Sequence, residues 1–224
     1  MHKYAIIVAG GKGERMGENI PKQFLELAGK PILMHTIEKF KNTFQDLKII
    51  LALPENQFEF WEELCDKYGF TNIPHEIVPG GKTRFHSVKN ALTKVSPNSV
   101  VAIHDGVRPL VSQETILQCF NQAEKQGNAI PVVEVVDSLR HVSKQEGTNK
   151  AVARSCYKMV QTPQCFTSEI IHKAYQQPYN NQFTDDASVV EALGETINLV
   201  KGNIENIKIT SPVDLQIAAA FINK

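Results

Sequence analysis

Apolar positions along this chain alternate between short unbroken runs and runs spaced three and four apart, the rhythm of strands followed by helices. Tyr4 to Ala9 reads as a buried first strand. Ile32, Leu33, Thr36, Ile37 and Phe40 mark a helix after Pro31, and Lys48 to Leu53 is a second strand stopped by Pro54. A helix through Phe58 to Tyr68, a short strand at Ile77 and Val78, a helix from Val88 to Val95 and a strand from Val100 to Ile103 continue the series. Ile116, Leu117, Phe120 and Ala123 then form a helix closed by Gly127, and Ala129 to Val133 is a further strand. Thr184-Asp185-Asp186 opens a helix ended by Gly194, and Ser211-Pro212-Val213-Asp214 opens the last one. Such alternation predicts an α/β fold with a doubly wound, mostly parallel sheet.

One stretch breaks the rhythm. From Val132 to Arg154 two extended Val/Leu-rich segments flank a polar turn, Lys144 to Asn149, with no helix between them. This predicts a protruding β-hairpin arm on a single domain spanning 1–224, with 134–155 as the arm. A ribbon without a covering helix has to pack on something, either a second subunit or its own sheet.

The glycine-rich segment after the first strand carries the chemistry: Ala9-Gly10-Gly11-Lys12-Gly13-Glu14-Arg15-Met16-Gly17, then Pro21-Lys22-Gln23-Phe24. Glycines let backbone N–H groups approach a polyphosphate, and Arg15 and Lys22 add cations. A dinucleotide fingerprint fails because position 16 is Met and Gly17 comes one residue late. Pro79-Gly80-Gly81-Lys82-Thr83 imitates the end of a phosphate-binding P-loop, but the first glycine of that motif would fall at Glu76.

Charge and cysteine usage narrow the setting. With 24 Lys and Arg against 24 Asp and Glu there is no net field to draw nucleic acid or an anionic membrane. Cys65, Cys119, Cys156 and Cys165 lack zinc or disulfide spacing, no apolar run approaches the ~20 residues of a membrane span, and the expected location is the cytoplasm.

In parallel sheets ligands bind beyond the carboxyl ends of the strands, which collects Ala9, Gly10, Gly11, Gly13, Arg15 and Lys22, then Gly80, Gly81, Lys82 and Ser87, then His104-Asp105-Gly106-Val107-Arg108-Pro109. Asp105 is placed to hold Mg²⁺ beside phosphates, and Gly106 to leave room for a sugar or base. His104 reads as structural. Arg108 fits either a ligand or an internal carboxylate, and Thr184 with Asp185 fits a plain helix cap as well as a site.

These segments, with Thr-Pro-Gln at 162–164, Thr-Asp-Asp-Ala-Ser at 184–188 and Asn-Ile-Lys-Ile-Thr at 206–210, closely resemble the 2-C-methyl-D-erythritol 4-phosphate cytidylyltransferases. The resemblance implies a Rossmann-like nucleotidyltransferase domain in a homodimer with an interlocking arm, using CTP, a polyol phosphate and a divalent cation. It implies that Arg15 and Lys22 stabilise the transition state and that Arg154, Lys208, Ser138 and Thr184 position the substrate. Ala9, Gly10, Gly11, Gly13, Gly81, Lys82, Ser87, Asp105, Gly106 and Arg108 would hold the nucleotide. Lys82 stands where some relatives carry an acid, and Ser138 where many carry Thr. A phosphomonoester with a second pKa of ~6 is already anionic, so the transfer needs no general base, consistent with the lack of a catalytic dyad. Ribitol-5-phosphate cytidylyltransferases share the N-terminal motifs and are the nearest alternative. A nucleotide-binding module without catalysis is a more distant one.

Overall fold

The computed structural model describes residues 1–10, 20–143, 145 and 147–222. Arg15, Gly11 and Gly13 lie outside the described residues, so the expectations placed on them have no structural counterpart.

The predicted alternation is present. Strand β1 (His2–Val8) is followed by α1 (Ile32–Thr43), β2 (Lys48–Leu53), α2 (Phe58–Lys67), β3 (Glu76–Pro79), α3 (Arg84–Leu92), β4 (Ser99–Asp105), α4 (Gln113–Gln126) and β5 (Asn128–Glu134). The arm strands β6 (Leu139–Val142) and β7 (Asn149–Val152) come next, then β8 (Lys158–Val160), β9 (Gln164–Thr167), α5 (Ser168–Ala174), α6 (Asp186–Glu191), β10 (Leu199–Lys201) and α7 (Pro212–Ile222).

Strand order in the main sheet is β8-β5-β9-β4-β1-β2-β3, with β10 also pairing β5. β1 runs parallel to β2 and β4, and β2 to β3. The chain thus steps outward from β1 to β3 and then returns to the other side of β1, which puts the topological switch point between β1 and β4. Strict parallel alternation does not hold beyond β4. Strand β9 inserts antiparallel between β4 and β5, with Gln164 opposite Ile103 and Cys165 opposite Ala129. At four residues it is too short to show a period of its own, and its pairing is decided by strands far away in sequence.

One face of the sheet is filled by Phe40, Trp61 and Phe120, and the other by Phe85, Val88, Phe166 and Tyr175. A third cluster joins α7, through Ala218, to Leu27, Ile32, Val107 and Ile209. Truncating one of these large buried side chains costs about 2–5 kcal/mol.

Three boundaries differ from the sequence reading. Helix α3 begins at Arg84, not Val88, because Thr83 is the last extended residue (φ −135°, ψ 171°) and Phe85 is its first core-facing position. Helix α6 starts at Asp186 with Asp185 as its N-cap, closed by a reciprocal pair of bonds with Ser188, and it ends before Gly194, which turns the chain at φ +84°. Val132 to Glu134 belong to β5 and pair with β8, so the free ribbon begins only after them. β6 and β7 pair with each other alone, Leu139 opposite Val152 and Val142 opposite Asn149, so the ribbon does not fold back on its own sheet. Among the described residues no helix is long and apolar enough to cross a membrane.

Candidate active site

Strand register brings the predicted segments to one edge. Val8 pairs with both Ala52 and Asp105, and Leu53 with Pro79, so β1, β2, β3 and β4 end together. The backbone continues the ladder past the strands: the N–H of Ala9 donates to Ala52 O at 3.0 Å, that of Gly80 to Leu53 O at 2.7 Å and that of Gly106 to Val8 O at 2.9 Å. A cavity of about 250 Å³ opens there, lined by Ala9, Gly10, Lys22 and Gln23, by Gly81, Lys82, Arg84 and Ser87, and by Asp105 and Lys208.

Gly81 has no room for a side chain, since a Cβ would stand 2.3 Å from the Cβ of His86. Its N–H donates to Ser87 Oγ at 2.9 Å, and the Ser87 hydroxyl donates to Thr83 O at 3.2 Å, which fixes the turn into α3. Lys22 begins a short 3₁₀ turn, Lys22–Phe24, in which Phe24 N–H donates to Pro21 O.

Asp105 is the electrostatic centre. Its Oδ2 receives Lys208 Nζ at 2.9 Å and Arg108 Nε at 3.3 Å, and its Oδ1 receives Arg84 Nε at 3.4 Å. Burial pushes this carboxyl up, but Arg84, Lys208 and Arg108 together outweigh that and hold it well below the usual carboxylate range. Arg84 also grips fully buried Asp186 through both terminal nitrogens at 2.9 and 2.7 Å, and Tyr175 donates its hydroxyl to the same carboxylate at 2.6 Å. Lys208 reaches Asp105 because the N–H of neighbouring Ile209 donates to Val107 O at 2.9 Å and buried Asn206 donates to Thr162 O at 2.8 Å.

His104 is structural, as the sequence suggested. Arg108 O can only accept, so Nε2 at 3.1 Å carries the hydrogen, and Nδ1 accepts from the Thr162 hydroxyl at 2.9 Å. Thr162 Oγ1 in turn accepts the N–H of Asp105 at 3.2 Å. Burial pulls the imidazole down to about 4.

Several sequence expectations move. At Gly106 a Cβ would meet Leu33 Cδ1 at 3.0 Å and Ala9 Cβ at 3.1 Å, so the missing side chain serves close packing between β1, β4 and α1, and any contact with a ligand would come from its backbone. Arg108 turns to Asp105 and to Asn206 O at 2.7 Å, the internal alternative. Thr184 is exposed with its N–H on Ser188 Oγ, and Ser138 is exposed before the arm; neither lines the cavity. Arg154 is exposed and donates to Val136 O at the base of the arm, also outside its own chain's cavity. Arg84, Asp186 and Gln23 were not singled out as site residues. Asp186 shares a helical face with buried Val189 and Val190, which is a signal for a paired buried acid.

Among the described residues no cluster of three or more His, Cys, Asp or Glu could hold a metal by itself. Asp105, ionised and lining the cavity, fits Mg²⁺ as a single carboxylate ligand, since that ion is commonly held by one or two carboxylates and a substrate's own phosphates.

A Rossmann-like sheet with a glycine-walled, cation-lined cavity at its switch point is the arrangement of the nucleotidyltransferase class. The sequence model of the 2-C-methyl-D-erythritol 4-phosphate cytidylyltransferases matches residues 3–224, and the chain belongs to that family. The family member of Bacteroides fragilis is 53% identical over 222 residues, covering 99% of this chain and 100% of its own. The family's crystal structure from Thermus thermophilus superimposes with a TM-score of 0.80 at 29% identity, covering 100% of both chains. The 4-diphosphocytidyl-2C-methyl-D-erythritol synthase of Anaerococcus prevotii gives 0.84 at 27% identity, covering 100% of this chain and 96% of its own.

Proposed function

We propose that this protein transfers CMP from CTP to 2-C-methyl-D-erythritol 4-phosphate, giving 4-diphosphocytidyl-2-C-methyl-D-erythritol and pyrophosphate. The observation that carries the reading is the charge pattern of the cavity: four cations, Lys22, Lys82, Arg84 and Lys208, line it together with one carboxylate, Asp105. Such a site suits two phosphates and not proton abstraction. An oxygen of the substrate phosphate attacks the α-phosphorus in line, the bond from that phosphorus to the bridging oxygen breaks, and pyrophosphate leaves with the electron pair. Lys22, with Arg15, neutralises charge as it moves onto the bridging oxygen, and Lys208 draws the substrate phosphate into the cavity. Ser87 and the Gly81 backbone face the cytosine. Asp105 would hold a divalent cation such as Mg²⁺, which would supply charge screening between triphosphate and incoming phosphate.

The arm makes the protein a homodimer in this reading, and Arg154 completes the partner's site. Two features support it. Apart from half-buried Leu139 and Val152 at its base, the paired strands of the ribbon are exposed within the chain, and an apolar groove of about 500 Å³ beside its base is lined by Val132, Val136, Met159, Val160 and Ile204. Cytoplasmic location fits the four cysteines, all free and three of them buried.

The test is pyrophosphate release with CTP and Mg²⁺, comparing methylerythritol phosphate with ribitol 5-phosphate. The reading requires turnover with the first at a kcat/KM at least about 10²-fold above the second. Equal rates, or preference for ribitol phosphate, reject it.

A further inference from the structure

Lys22 sits on a turn that would be loosely held if it depended on its own three residues. Instead helix α2 grips that turn twice. Gln57, the residue before α2, accepts from Gln23 Nε2 at 2.7 Å, while the same nitrogen also donates to Ala9 O at 2.8 Å, tying the turn to the end of β1. One helical turn later Phe24 lies against α2, edge-on to Phe60 at 5.3 Å and stacked on Trp61 at 5.9 Å with ring planes 21° apart.

Trp61 is in turn fixed from behind. Its Nε1–H donates to His75 Nε2 at 2.9 Å, and His75 Nδ1 lies 2.8 Å from Ile73 O. A carbonyl only accepts, so Nδ1 carries the hydrogen and the lone pair of Nε2 faces the indole. His75 immediately precedes β3, which runs directly into Gly80, Gly81 and Lys82. A continuous packed line therefore joins the Lys22 wall of the cavity to the Gly81 wall.

We propose that Trp61 and His75 are positioning residues for CMP transfer, holding Lys22 through Phe24 and doing so only while His75 is neutral. The proposal rests on the reading of Lys22 as transition-state cation. Its pH sensitivity follows from geometry: a proton on Nε2 would set two donors against each other and strip Trp61 of its acceptor. Around the same cleft α2 presents Glu62, Cys65 and Asp66. The turn before His75 presents the Phe70 ring at 6.2 Å, and Glu76 beyond it is engaged with Lys94 at the surface. Burial is what pulls His75 below its ordinary value, with the Ile73 carbonyl opposing it, and burial likewise pushes the Cys65 thiol up to about 11.

Trp61 is the chain's single tryptophan, so its emission reports this contact directly. The experiment uses the full-length enzyme with CTP, Mg²⁺ and methylerythritol phosphate, and compares the wild type with His75→Leu and His75→Gln. The side-chain oxygen of the glutamine variant can accept the indole N–H at every pH; leucine cannot. His75→Leu should lower kcat about 10-fold with the KM for CTP within about 2-fold, and His75→Gln should restore kcat to within about 3-fold of wild type. As pH falls below the ordinary imidazole value of ~6.5 and on to the acid limit of the fold, the wild type should lose activity relative to His75→Gln, and Trp61 emission should titrate in the wild type only; ionisation of CTP and the substrate is common to both proteins and cancels in the ratio. Equal kcat in the Leu and Gln variants, or a ratio of wild type to His75→Gln that stays constant with pH, overturns the relay. Should His75→Leu fail to fold, that ratio and the emission titration decide alone. Near-normal kcat in Lys22→Ala would instead overturn the reading beneath the relay, leaving the emission titration in place.

Discussion

The buried imidazole of His104 makes a stability prediction whose size follows from its two partners. Arg108 O and the Thr162 hydroxyl hold the ring in one neutral tautomer, and Arg84 and Arg108 lie close enough to oppose a second positive charge. In the unfolded chain the ring takes its proton near pH ~6.5, whereas burial holds it at about 4 in the fold. The folded value is the lower one, so the unfolded state binds more protons as pH falls. His104's contribution is therefore complete above pH ~6.5 and shrinks through the window down to about 4, by about 2 kcal/mol at pH 5 and about 3 at pH 4. Urea unfolding at fixed protein concentration, at pH 7 and pH 5, measures it. His104→Gln removes the titrating group, and its loss of stability between those two pH values should be smaller than that of the wild type by about 2 kcal/mol. Equal losses would mean that His104 is not held neutral, and that the Thr162 bridge to the Asp105 backbone is not maintained by it.

Two further outcomes follow from the ion pairs and the arm. Asp186→Asn leaves Arg84 without its bidentate partner and should cost about 3 kcal/mol, lowering Tm by about 6–12 °C in calorimetry; an unchanged Tm would show that the Arg84–Asp186 pair is not an anchor. Arg15→Ala and Arg154→Ala chains, each nearly inactive alone, should recover about a quarter of wild-type activity when re-associated as an equal mixture, because half the dimers are mixed and each has one intact site. Verified subunit exchange without recovery would place Arg154 in its own subunit's site.

Most of the α/β framework was legible because long elements carry their own period: β1, β2, α1, α2 and α4 emerge within two or three residues of where the apolar spacing puts them. The antiparallel β9 was not, since four residues carry no period and its partners lie about 60 and 35 residues away in the chain. Of the glycine-rich strand ends, Gly10 and Gly81 line one cavity, because register in a parallel sheet aligns them. At Gly106 a sequence shows that a side chain is missing but not what crowds the vacant Cβ position, which in the fold is Leu33 and Ala9. The linked charges Asp186, Arg84 and Asp105 were legible only as separate motifs, 102 and 21 residues apart, and their joining requires the fold.

The central claim, that cations and not a general base drive the transfer, is tested most directly by the kinetics of Lys22→Ala. The account predicts a kcat lower by at least about 10²-fold with a far smaller change in the KM for CTP, because the lysine's contact strengthens as charge moves onto the bridging oxygen. A near-normal kcat, or a loss expressed wholly in KM, would contradict it.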